Sequence, residues 1–191
     1  MKICYLCLIF LFSCSEQQQG SDLNFISSAQ PVKITQDMVI KNDTLFFKGL
    51  RFSGKMFDLY PSNDTSFTSF YINGLKHGLS KKWFENAELQ EIRTYSNGRK
   101  QGHQISYWEN GHKRFEFHAE NDMYQGELRE WSAQGNLIHL AHFKDGQEEG
   151  VQQLFYDNGI IRANYVIIKG RRYGLLGTKN CKNVTNNLPI R

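Results

Sequence analysis

Tyr95-Ser96-Asn97-Gly98, then Gly102, then Tyr107-Trp108-Glu109-Asn110-Gly111 is the stretch that decides the fold. Asn-Gly is the strongest short hairpin signal, because a type I′ turn needs positive φ at both central residues and these two adopt it most readily. The stretch therefore reads as a turn at Tyr95 to Gly98, a strand from Gly102 to Glu109, a second turn at Asn110-Gly111 and a return strand from Lys113 to Ala119. In that return strand Lys113, Phe115 and Phe117 share one face, while Arg114, Glu116 and His118 share the other. Alternation with period two marks a strand with one buried face.

Outward from this unit the pattern repeats. Gly54, Gly78, Gly102, Gly126, Gly150 and Gly174 are spaced by 24 residues throughout. A second glycine row runs through Gly74, Gly98, Gly146 and Gly170, broken by Leu50 and Asp122. A third is Gly111, Gly135 and Gly159, with Asn63 and Ala87 as departures. An aromatic row, Trp83, Tyr107, Trp131 and Phe155, keeps the same register. Later return strands keep the parity, with Leu137, His139, Ala141 and Phe143 on one face, then Ile161, Ala163, Tyr165 and Ile167; Ile138 and Leu140 sit on the nominally wet face. The expected fold is all-β, an elongated antiparallel meander of stacked 24-residue β-hairpin repeats across residues 38–177. The glycine after each turn, Gly78 and its equivalents, is expected to permit a bulge or a close backbone approach. Met38 to Phe47 reads as an edge hairpin that caps the array, turning at Lys41-Asn42-Asp43, and Arg171 to Gly177 as a last half-repeat. Composition agrees, since 14% aromatic content with only three prolines in 191 residues leans towards sheet.

The pattern Tyr-x-Asn-Gly-x-x-x-Gly-x-x-x-x-Trp-Phe/Trp/Tyr-x-Asn-Gly resembles the MORN repeat, and is closest to its bacterial type 2 variant, found in proteins labelled antitoxins of the YwqK family. Tyr71 to Asn86, Tyr95 to Gly111 and Phe143 to Gly159 carry it best. Ala119 to Gly135 is degenerate, and Phe47 to Tyr60 resembles a worn first copy followed by an insertion-like turn at Pro61 to Thr65. The likeness covers about residues 45–175. It implies the stacked-hairpin architecture, and arrays of this kind are associated with protein contacts and with membrane proximity. The YwqK likeness implies a second reading, an antitoxin with a toxin partner.

The N-terminus carries a separate message. Met1-Lys2 precedes an apolar run from Ile3 to Phe12, which as a helix reaches about 15 Å, half the ~30 Å of a hydrocarbon core. Residues 1–13 therefore read as a signal peptide. Leu11-Phe12-Ser13-Cys14 resembles the bacterial lipobox, which implies a diacylglycerol thioether on Cys14; ordinary secretion with cleavage nearby is the alternative. Each buried CH₂ contributes roughly 0.8 kcal/mol, so two or three acyl chains hold firmly to a bilayer. Residues 14–37 then read as a lipid-anchored linker, and residues 178–191 as a C-terminal tail. The expected location is a bacterial envelope membrane, inner or outer. Cys4 and Cys7 fall within the leader, so Cys181 is left alone, as a semi-buried side chain or a reactive thiol. The net charge of +4 falls to +3 when Lys2 leaves with the leader, too small and dispersed for a nucleic-acid footprint.

Catalytic motifs are missing from the sequence: no G-x-S-x-G, no H-E-x-x-H, and no phosphate-cradling glycine loop. His139 and His142 point to opposite faces of one strand, and His118 and His142 lie about 9.6 Å apart in equivalent strands, too far for one ion. The expectation is a non-enzyme without cofactor or metal. Glu85, Glu109 and Asp157 precede turns on one edge, where they solvate the turn or meet cations or a basic partner. Phe84, Trp108 and Tyr156 lie opposite the main aromatic row. With that face open they form a stripe for ligand contact, for a protein or an envelope polymer such as glycan; with a second layer over it they are core.

Overall fold

The computed structural model describes residues 25–177. The stretch expected to be a signal peptide, Cys14, Cys181 and the expected C-terminal tail lie outside the described residues. The chain forms β1 (Phe25–Lys33), β2 (Met38–Lys41), β3 (Thr44–Phe47), β4 (Leu50–Leu59), β5 (Thr65–Ile72), β6 (Leu75–Trp83), β7 (Leu89–Ser96), β8 (Arg99–Tyr107), β9 (Lys113–Glu120), β10 (Met123–Trp131), β11 (Leu137–Lys144), β12 (Gln147–Phe155), β13 (Ile161–Ile168) and β14 (Arg171–Leu175). From β2 to β14 each strand pairs with the next in chain order, giving one open, antiparallel meander sheet of hairpin repeats. The exception is β1, which pairs parallel with β4 in the stretch read from sequence as linker. Its register shifts between Ser28 and Val32, around Pro31, which has no N–H for the ladder.

Two kinds of turn alternate along the sheet. At one edge the loops hold two residues, both with positive φ: Asn73-Gly74 (52° and 82°), Asn97-Gly98 (49° and 83°) and Asp145-Gly146 (51° and 79°). The capping hairpin turns at Asn42-Asp43 in the same way. Asn121-Asp122 does so without glycine, and Lys48-Gly49 turns one residue ahead of the position that Leu50 holds in the glycine row. The other edge departs from the expectation that every Asn-Gly makes a type I′ turn. There only the fourth of five loop residues has positive φ: Asn63, Ala87, Gly111, Gly135 and Gly159. Each such loop has two backbone bonds, as in Trp108 N–H to His112 O (2.8 Å) and Gly111 N–H to Trp108 O (2.9 Å). Asparagine serves a different purpose here: the Asn110 side-chain oxygen accepts from His112 N–H at 3.1 Å, an Asx turn. Tyr60 to Asp64 closes with the same two bonds, so the turn read as insertion-like has ordinary repeat geometry.

At Gly78, Gly102, Gly126 and Gly150 the recurring glycine marks a bulge, whereas Gly174 pairs in register with Tyr165. Pairing passes from Arg93–Gln104 to Tyr95–Lys100, which leaves extra residues around Gly102 on β8. The same shift follows Ser69–Ser80 and Ala141–Gln152. A Cβ at Gly78, Gly102 or Gly126 would meet nothing within 4 Å, so positive φ and not space demands glycine there. Gln104, fully buried, closes the bulge by donating from Nε2 to Thr94 O (3.0 Å) and Gly102 O (3.1 Å). Gln152 repeats the device on His142 O at 2.8 Å.

One face of this single layer is buried by its own side chains. In β13 Ala163, Tyr165 and Ile167 are buried while Arg162 and Asn164 are exposed, as the parity requires. Three local clusters form: Leu45, Phe52, Met56 and Tyr71 under the capping hairpin; Phe117, Ala119, Leu128 and Ala141 in the middle; and Ala163, Tyr165 and Ile167 at the end. The rings of Phe117, Tyr124 and Phe143 run side by side, 4.6 and 5.0 Å between centroids, beside the small Ala119 and Ala141. Large next to small is how a one-layer sheet excludes water from its centre. Arg93 borders the middle cluster, with its guanidinium 4.7 Å from the Phe115 ring centroid and 3.0 Å from Glu91.

Candidate functional site

The wide-turn edge collects the aromatic side chains of interest because each wide turn begins on the same repeat position: Tyr60, Phe84, Trp108, Ser132 and Tyr156. Those residues also tie one turn to the next. Tyr60 Oη donates to Trp83 O at 2.7 Å, and Trp108 Nε1 to Trp131 O at 2.9 Å. Asn86 and Asn110 donate from Nδ2 to Glu109 O (3.2 Å) and Ala133 O (2.7 Å).

Phe84 and Trp108 are half-buried and Tyr156 is exposed, so among the described residues no second layer covers them. Phe84 and Trp108 come together in one groove of about 330 Å³, whereas Tyr156 lines another of about 300 Å³. Beside the two rings the first groove holds Tyr107, Ser106, Glu109 and Arg114. The Arg114 guanidinium lies 4.7 Å from the Trp108 ring centroid, covering one face of the indole. Ser106 is 5% exposed, and its buried Oγ has no hydrogen-bond partner among the described residues. Lys82 and Arg114 balance Glu91 and Glu109, so the groove carries no net charge. In the second groove His139 Nδ1 lies 3.0 Å from Glu130, and this hydrogen bond holds the Glu130 carboxyl below the usual carboxylate range against the opposing effect of burial. Of the main aromatic row, Tyr107 and Phe155 line grooves; Trp83 and Trp131 offer backbone carbonyls, and the Trp131 ring has Lys113 Nζ 5.6 Å from its centroid.

Two further concavities lie away from that edge. Under the capping hairpin, Tyr71, Lys76, Tyr95 and Lys100 surround a cleft of about 320 Å³. Burial pushes the Tyr71 hydroxyl up to about 12. Burial, then Lys82, lowers the Lys76 ammonium, which stands 5.0 Å from the Tyr95 ring centroid. The other cleft, of about 430 Å³, joins His103 and His118, whose rings meet edge to face at 6.2 Å across β8 and β9. Glu116 borders it; burial raises its carboxyl, but hydrogen bonds from Lys113 and Arg129 outweigh that and hold it below the usual range. Among the described residues no group of three or more His, Cys, Asp or Glu is placed to hold a metal ion.

Sequence reading singled out Phe84, Trp108 and Tyr156 but left Arg114, Ser106 and Glu91 outside the site. Arg114 had a usable signal, since it stands three residues after Gly111 as Arg162 stands three after Gly159. His103 beside His118 needed the strand register. No family model matches the chain, and no curated protein matches it either.

Proposed function

We propose that this chain is a non-catalytic lipoprotein of the bacterial cell envelope, anchored through Cys14, whose MORN-like repeat sheet binds a protein or an envelope polymer at its wide-turn edge. The observation that carries the reading is the groove at Phe84 and Trp108: partly exposed aromatic rings beside cations balanced by carboxylates. Such a mixture offers apolar contact and hydrogen bonding together, which suits recognition.

Chemical crosslinking in intact envelopes, with the anchored protein as bait, is the test. One partner should be captured by the native protein and lost with Phe84→Ala and Trp108→Ala combined, and a fatty-acid label should appear on the native protein and not on Cys14→Ser. A cytosolic, unlabelled protein captured with a toxin would overturn this in favour of the antitoxin reading.

A further inference from the structure

The two grooves of the wide-turn edge are built on the same repeat positions, of which four keep their residue type while Lys82, Gln90, Glu91 and Ser106 change to Glu130, Ile138, His139 and Leu154. All eight residues lining the second groove stand two 24-residue periods after a residue lining the first. Trp108, Glu109 and Arg114 recur as Tyr156, Asp157 and Arg162, so ring, carboxylate and guanidinium are kept in type as well as place. Tyr107 recurs as Phe155. The unit between them has Ser132, Ala133 and Ile138 at the three positions and loses the whole set together. Two repeats are four strands, and at ~4.8 Å per strand the grooves stand about 19 Å apart along the sheet.

We propose that these grooves are tandem subsites for one linear, uncharged polysaccharide, each taking a separate segment of the same chain. The inference rests on reading the wide-turn edge as a binding edge, and narrows its partner. A ligand held by two copies of one site at a fixed pitch must itself repeat. A sugar ring has an apolar C–H face for an aromatic ring and hydroxyls that both donate and accept. A carboxylate accepts from such hydroxyls and a guanidinium donates to them. The first groove has no net charge, and the second has Glu130 and Asp157 against Arg162 beside His139, so neither attracts a polyanion. Two linked weak sites bind a long polymer more tightly than either site binds a short one.

The test is electrophoresis of the full chain through native gels containing a neutral polysaccharide (β-glucan, xylan, mannan or chitin oligomers) or, as the charged arm, polygalacturonate. At least one neutral polymer should retard the protein. Glu109→Gln with Arg114→Gln in one groove, or Asp157→Asn with Arg162→Gln in the other, should each weaken retardation by about tenfold or more. These substitutions leave the Trp108–Trp131 bond in place, and an unchanged circular dichroism spectrum confirms the sheet. A disaccharide of the same sugar should bind weakly, and losing one groove should at most halve its occupancy. Retardation by polygalacturonate alone, by no polymer, or as strong in either paired variant as in the native protein overturns the proposal. Capture of a protein partner through Phe84 and Trp108 alongside such a failure would leave the binding edge standing and remove only the polysaccharide.

Discussion

The indole N–H of Trp108 donates to the carbonyl oxygen of Trp131, 2.9 Å away and 23 residues later in the chain. A side chain at the start of one wide turn thus holds the last strand residue before the next, and Tyr60 makes the same link to Trp83. The aromatic row is in this respect a fastening between repeats as well as a surface.

Trp108→Phe keeps most of the ring and removes the donor. Loss of one such bond should destabilise the sheet by about 1 kcal/mol. Urea unfolding followed by circular dichroism would measure it, and an unchanged midpoint would show the fastening to be idle.

The glycines should divide by mechanism. Gly78→Ala meets no atoms but must keep φ near 68°, so a cost of about 1–2 kcal/mol is expected. Gly74→Ala carries the same strain and also drives Cβ to 2.5 Å from Thr44 Cγ2 and 2.9 Å from Leu45 O, so its loss should be clearly greater. Conversely, Ala87 sits at φ 65° where the following three units have glycine, and Ala87→Gly should stabilise by about 1 kcal/mol. Thermal melts should place Ala87→Gly highest, Gly78→Ala below the native protein and Gly74→Ala lowest.

Gln104→Leu tests the bulge. The substitution keeps an apolar stem in a fully buried place but strands the carbonyls of Thr94 and Gly102, for a loss of roughly 1–3 kcal/mol. Amide hydrogen exchange should quicken first in β7 and β8, where those carbonyls lie.

Tyr71 should make the protein sensitive to alkali. Its hydroxyl titrates near 10.0 when free and about 12 in the fold, so its contribution is whole below pH 10 and is lost as pH rises towards 12. Phenolate absorbance should show Tyr71 ionising late along with Tyr95, which burial also raises, and Tyr71→Phe should flatten the fall in stability across that window.

Glu116 should act at the opposite end. Its carboxyl is depressed below 4.5, so the stabilisation from Lys113 and Arg129 is present above that value and is lost as pH falls through the lower, folded one. Glu116→Gln should be less stable at neutral pH and should lose less on acidification; equal slopes for both proteins would contradict this.

The meander follows from the chain alone. Turn residues at fixed offsets and a two-residue period state where each strand stops and which side faces inward, and both are local properties of the backbone. Asn97-Gly98 shows this directly. Asn110-Gly111 shows the limit: the same dipeptide folds as a wide turn, because neighbouring strand twist and the Asx bond to His112 choose between geometries that the pair tolerates equally. What required the tertiary structure was register. Cross-strand neighbours are set by pairings and bulges far apart in sequence, so the meeting of His103 with His118, the closure of Gln104 on Thr94, the pairing of β1 with β4, and the gathering of Arg114 with Phe84 emerge only when the sheet is assembled. Sequence period determined what repeats, and the ladder decided what touches.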